Sequence, residues 1–216
     1  MGLITLPPLD LAALLCSRVC HDVISPVGAI VNGLEVLESE QDAEMRSIAM
    51  DLIKKSAASA SARLQFCRLA FGAAGSMAAE IDTGDAESVA RGLLSNDRTR
   101  LEWKVPRRLV GKNIAKLTLN LCLIAAAAIP RGGVISVALA GEPEVTSIEV
   151  NAEGANAKIP QMTARLLSGQ PVEAIDAHSI QPYYAALLAG QCGMELSFSA
   201  AVEGVALIAT RLPSGA

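Results

Sequence analysis

The sequence predicts an α plus α/β protein of two domains. Residues 1–75 form a long helical hairpin that pairs with a second copy as a dimeric four-helix bundle, and residues 77–216 form an α/β sandwich. Three observations predict this. Apolar residues recur at helical spacing along two long stretches, parted only by the polar turn Ser39-Glu40-Gln41-Asp42. The run Gly72-Ala73-Ala74-Gly75-Ser76 then breaks the pattern and reads as a linker. From near Met77 onward, short strand-like runs alternate with helical ones, the pattern of a sheet covered by helices.

The first helix is predicted over Pro7–Glu38, with Pro7 and Pro8 suited to a first turn and Asp10 to an early cap. At about 100° per residue, Ala12, Leu15, Val19, Val23, Pro26, Ile30, Leu34 and Leu37 fall in one apolar stripe. His21 lies opposite the centre of that stripe, on a face shared with Ser17, Arg18, Ser25, Gly28 and Asn32. Pro26 removes one backbone donor and is expected to bend the helix just past His21. The second helix is predicted from Asp42 to Ala74, with small residues from Ser56 to Ala62 that permit close approach of a neighbour. A single hairpin cannot bury an apolar stripe on each helix, so a homodimer is expected.

In the second domain, helices are predicted over Asp85–Leu94, Gly111–Ala128, Met162–Leu167 and Gln181–Ala189. Strands are predicted over Arg100–Val105 (with the only Trp), Val134–Leu139, Ser147–Ala152, Met194–Ala200 and Val205–Leu212. They make a mixed sheet with helices on one face.

Composition bounds the function. Hydrophobic residues make up 51 % of the 216 and charged residues 19 %, enough for a sizeable core. The net charge is −4 and no basic stripe interleaves with aromatics, which argues against nucleic acid as a partner. The five cysteines, Cys16, Cys20, Cys67, Cys122 and Cys192, sit in apolar or helical contexts without zinc-site spacing, and read as reduced thiols. No signal peptide precedes the first helix, Leu6 stands where myristoylation wants Ser or Thr, and the longest apolar run, Leu121–Ile129, is too short to span a bilayer. A cytoplasmic protein without membrane contact is expected.

His21 is the candidate catalytic residue. An imidazole nitrogen attacks activated phosphorus readily, provided that it is exposed and one ring nitrogen is free. Asp22 is placed to accept from the other nitrogen and fix the tautomer. Ser25, one turn on, is placed to hydrogen-bond phosphoryl oxygens, and Arg18, one turn back, to offset their charge. No Mg²⁺-holding carboxylate cluster surrounds His21, so any metal is expected to come with a partner.

The string His21-Asp22-Val23-Ile24-Ser25-Pro26-Val27 resembles the H-box of two-component histidine kinases. In the second half, Leu117–Ala125 followed by Pro130-Arg131-Gly132-Gly133 resembles the N-box helix and glycine turn of the kinases' Bergerat-type ATP-binding domain. The departures from that pattern concern ATP. Ile124 stands where the resemblance calls for a Mg²⁺-ligating Asn, and an aliphatic cannot hold a hard cation. Ala152 stands near the place of the adenine-reading Asp, and Asn156 replaces a glycine. Ser179-Ile180-Gln181-Pro182-Tyr183-Tyr184 stands where a Gly-rich phosphate turn should precede a helix.

A bundle that keeps the histidine while the ATP site degenerates is similar to dimeric histidine phosphotransferases of the ChpT type. That resemblance implies no cofactor of its own. It implies a receiver domain of a hybrid histidine kinase as phosphoryl donor, bringing its Mg²⁺, and response regulators as acceptors. The docking surface is expected at Arg18, Gly28, Val31 and Asn32, with Arg63 and Cys67 on the second helix. The alternatives are an ATP-dependent histidine kinase with a divergent nucleotide site and a non-catalytic dimeric docking module for receiver domains. His178 reads as an ordinary surface or packing residue.

Overall fold

The computed structural model describes residues 5–72, 80–170, 172–201 and 203–213. Two antiparallel helices, α1 (Pro8–Ser39) and α2 (Ala43–Ala70), form the predicted hairpin. The turn between them is tied down by its own side chains. The Asp42 carboxylate accepts from the backbone N–H groups of Glu44 and Met45 at 3.0 and 2.9 Å, capping α2. Glu40 accepts from the N–H groups of Asp42 and Gln41, which holds its carboxyl below the usual carboxylate range. Arg46 donates back to the carbonyls of Leu37 and Glu40, closing the end of α1.

The hairpin packs through small residues. Pro26 and Gly33 of α1 and Ala49, Ser56 and Ala60 of α2 are buried between the helices. A Cβ on Gly33 would lie 2.6 Å from Ile53 Cγ1, so the absence of a side chain there sets the helix separation. α1 runs as one helix through Pro26, which has no N–H to donate to the Asp22 carbonyl one turn back. Large apolar side chains remain exposed along the hairpin. On α1 these include Ile24 (70 % exposed), Val27, Val31 and Leu34, and on α2 Met45, Ile48, Leu52 and Leu64. By length and composition α1 is apolar enough to cross a membrane, although its uninterrupted apolar runs are short. It also carries Arg18, His21, Asp22 and Glu35.

α2 ends at Ala70 rather than at the expected Ala74, with the Phe71 N–H bonded to the Cys67 carbonyl. Most of the expected linker, residues 73–76, and the expected start of the second domain at Met77 lie outside the described residues. The second domain opens with β1 (Glu80–Asp82), which pairs antiparallel with β3 (Leu109–Gly111) in a small ladder the sequence did not reveal. α3 (Thr83–Leu94) and β2 (Thr99–Trp103) stand between those strands, and α4 (Lys112–Ala128) follows them. The remaining elements are β4 (Gly133–Ala140), β5 (Ser147–Glu153), α5 (Gln161–Leu167), α6 (Ile180–Gln191), β6 (Met194–Ala201) and β7 (Gly204–Arg211).

The main sheet has the order β2-β4-β5-β7-β6, with only β2 and β4 parallel. Ile135, Val137, Ile148, Val150, Ala152, Leu207 and Ala209 alternate along the strands and are buried, so one face of the sheet carries the core. α4 covers it, with Leu117, Leu119 and Leu121 fully buried. Phe66 and Ala70 of α2 join this same core, so the packing is continuous from hairpin to sheet.

Two further ties hold the second domain to the hairpin. Buried Asn120 on α4 donates to the Ala70 carbonyl at 3.2 Å, and its own carbonyl accepts from Gln181 of α6 at 2.7 Å. At the start of α1, the Leu6 N–H donates to the Tyr183 hydroxyl at 3.1 Å, and Leu11, Leu14 and Leu15 pack on a satellite core of Leu166, Val172, Ile180 and Tyr183.

Candidate phosphotransfer site

His21 projects from α1 with 65 % of its side chain exposed. Its Nδ1 faces the Asp22 carboxylate at 3.7 Å, beyond hydrogen-bonding reach. The expected hydrogen bond between the two is therefore corrected. Neighbours in sequence lie about 100° apart around a helix, so they do not face each other, whereas residues four apart do. Asp22 accordingly accepts from Arg18 Nε at 3.0 Å, and both side chains are largely covered.

Ser25 and Asn32 are exposed, and a Cβ on Gly28 would meet no atom within 4 Å. These three lie on the same side of α1 as His21. Val31 does not group with them; it belongs to the apolar stripe of Ile24, Val27 and Leu34. Arg63 lies half-buried across from Arg18 and Asp22, lining one groove with them. Cys67, expected on the docking surface, is buried at 7 % exposure. Helical periodicity places it on the right side of α2, but the second domain covers that end of the helix. Burial pushes its thiol up to about 11.

The side chain that sequence reasoning missed is His178. It sits in the loop before α6, held by Asp176, whose carboxylate accepts from the N–H groups of His178 and Ser179 and from the Ser179 hydroxyl. The hydrogen bonds from Ser179 lead in holding the Asp176 carboxyl low. The His178 ring meets the His21 ring edge-on, with centroids 5.5 Å apart and planes at 79°. No local spacing signals a contact this distant in sequence; the only hint was that the chain has two histidines in all.

The residues expected to block ATP take these places. Ile124 is 2 % exposed and joins the wall of a cavity of about 570 Å³ that His178 also lines. Ala152 is fully buried in β5. Asn156 has φ +60°, so it keeps a left-handed backbone where the resemblance puts glycine. Tyr183 and Tyr184 lie inside α6 rather than in a turn before it, because the Asp176–Ser179 turn starts the helix at Ile180. Gly132 and Gly133, with φ +92° and +148°, serve packing: a side chain on either would collide with the carbonyl of Arg98 or Glu153.

The histidine phosphotransferase C-terminal domain family matches residues 83–204. The protein phosphotransferase ChpT of Brucella abortus is 50 % identical over 206 residues, covering 94 % of this chain and 96 % of that protein. The chain belongs to the histidine phosphotransferase family. A solved bacterial phosphotransferase superposes on this phosphotransferase with a TM-score of 0.88 at 48 % identity, covering 97 % of this chain and all of the other. The family assignment gives the fold its chemistry. A histidine phosphotransferase needs an exposed imidazole, and the imidazole of His21 is exposed.

Proposed function

We propose that this chain is an intermediate station in a two-component phosphorelay. His21 takes a phosphoryl group from the aspartyl phosphate of a hybrid histidine kinase's receiver domain and passes it to the aspartate of response regulators. The observation that carries this reading is the exposed His21 ring, with Nδ1 turned to the Asp22 carboxylate. The Nε2 lone pair attacks phosphorus, an N–P bond forms, and the O–P bond of the aspartyl phosphate breaks, so aspartate leaves as a carboxylate. The proton left on Nδ1 is stabilised by Asp22 until solvent takes it.

Catalysis here is mainly positioning. Ser25 and Gly28 leave open space beside the ring for the incoming receiver, and the receiver brings the Mg²⁺ ion. The chain uses no ATP in this reading: the position for a metal-ligating Asn holds Ile124, and Tyr183 is committed to Leu6 at the start of α1. The exposed stripe on α1 and α2 is covered by a second copy, which completes a four-helix bundle in a cytoplasmic homodimer.

The test mixes wild-type and His21→Gln protein with a ³²P-phosphorylated receiver and Mg²⁺, without ATP. Label is expected on the wild type, lost in acid as phosphohistidine is, and absent from the variant. Label retained by His21→Gln refutes the role of His21. Self-labelling from ATP alone identifies a kinase instead, and a His21→Gln protein that still supports signalling in cells identifies a docking module.

A further inference from the structure

The sequence singles out one histidine; the structure brings two together. We propose that His178, supplied by the second domain, is the counter-charge for phosphorylated His21: it takes up a proton when His21 gains its phosphoryl group and stabilises that state. This rests on the reading of His21 as the phosphoryl acceptor.

The geometry carries the argument. The two rings are in edge-on contact at 5.5 Å. His178 has a built support, because Asp176 fixes its backbone through an N–H bond of 3.0 Å and fixes Ser179 beside it. The ring is therefore delivered to His21 by a braced loop at the head of a helix whose Tyr183 anchors the start of α1.

The charges around the pair leave a place to be filled. Arg18, the cation nearest on α1, is already paired with Asp22. Arg63 faces Asp22 from α2 across the same groove. On its own loop the anions Asp176 and Glu173 are nearby. Arg18 of α1 also lines the cavity beside His178, and the walls contributed by α4, α5 and α6 present uncharged side chains there. A phosphoryl group brings between one and two negative charges, by analogy with other phosphorylated side chains. An imidazole is the side chain that can gain a proton near neutral pH when such a charge arrives. Opposite charges within about 4–6 Å favour each other's charged forms by roughly one to three pKa units.

The sign follows. Phosphorylated protein binds more protons than unphosphorylated protein between the two His178 midpoints, so phosphorylation is favoured below that window. The advantage disappears as pH rises through the higher midpoint.

The experiment uses the full-length protein and phosphoramidate, a small donor that needs no receiver. His21 attacks its phosphorus, the donor's P–N bond breaks, ammonia leaves, and the imidazolium proton passes to solvent. Imidazole NMR titrations are recorded before and after labelling. The His178 midpoint is expected to rise by about one unit or more, a tenfold change in proton affinity. In parallel, the phosphohistidine lifetime is measured against pH for wild type, His178→Gln and His178→Phe. Both variants are expected to shorten it several-fold below the wild-type midpoint and to converge with wild type above it.

His178→Phe keeps a ring in contact without the charge, so wild-type behaviour of that variant overturns the proposal. An unmoved His178 midpoint in phosphorylated protein also overturns it and leaves the reading of His21 intact. If His21 takes no phosphoryl group from either phosphoramidate or a phosphorylated receiver, the reading of His21 fails and this inference falls with it.

Discussion

Replacing Gly28 with Ala separates stability from docking, because the two effects are expected to have opposite signs. A Cβ at this position meets no atom within 4 Å, so the fold has room for it. Gly28 lies inside α1, where Gly is less favourable than Ala by about 1 kcal/mol, since Gly loses more backbone freedom on folding. The variant should therefore be more stable by up to that amount, which for a chain of this size raises Tm by roughly 2–4 °C. The same methyl stands in the open space beside His21, where the receiver must close. One extra carbon in a close-fitting contact costs about 1–3 kcal/mol, so transfer from a phosphorylated receiver should slow by about 5- to 150-fold. Thermal denaturation and single-turnover transfer on one preparation read both effects. A higher Tm with unchanged transfer refutes the placement of the receiver over Gly28. A lower Tm refutes the account of the helix itself.

Asn120→Ala deletes the donor to the Ala70 carbonyl and leaves that buried acceptor unpaired, so urea denaturation should show a loss of about 1–3 kcal/mol. Val31→Glu places a charge in the exposed apolar stripe of α1; sedimentation should show a monomer, and a variant that stays dimeric yet loses transfer would return Val31 to the docking surface. Alkylation with iodoacetamide at pH 8 should modify exposed Cys16 and Cys20 and spare Cys67 and Cys122. Burial pushes those two thiols up to about 11 and about 12, so both stay protonated until the pH rises well above 9 or the protein unfolds.

The hairpin and the order of strands and helices were legible because each rests on local periodicity. The β1–β3 ladder was not, since strands as short as Glu80–Asp82 and Leu109–Gly111 are too brief to show alternation. At the site, exposure of His21 followed from its position opposite the apolar stripe of α1. What failed was decided by a neighbour from elsewhere in the chain for Cys67 and His178, and by an overlooked i, i+4 pairing for Asp22. Cys67 shares the expected side of α2, but whether that side meets water depends on a domain packed later. Asp22 was assigned to the residue next to it in sequence, while helix geometry gave it to Arg18. His178 reaches His21 only because α6 docks on the start of α1, a contact without any local signature.

The proline beside the phosphotransfer site has a mechanical consequence. Pro26 withholds the backbone rung that would end on the Asp22 carbonyl. The missing rung lies directly beyond His21, the residue proposed to meet a reacting phosphorus in line. Bending α1 at this turn has one fewer backbone hydrogen bond to strain. Pro26 itself stays buried between the helices, so this give is confined to the one turn where alignment matters.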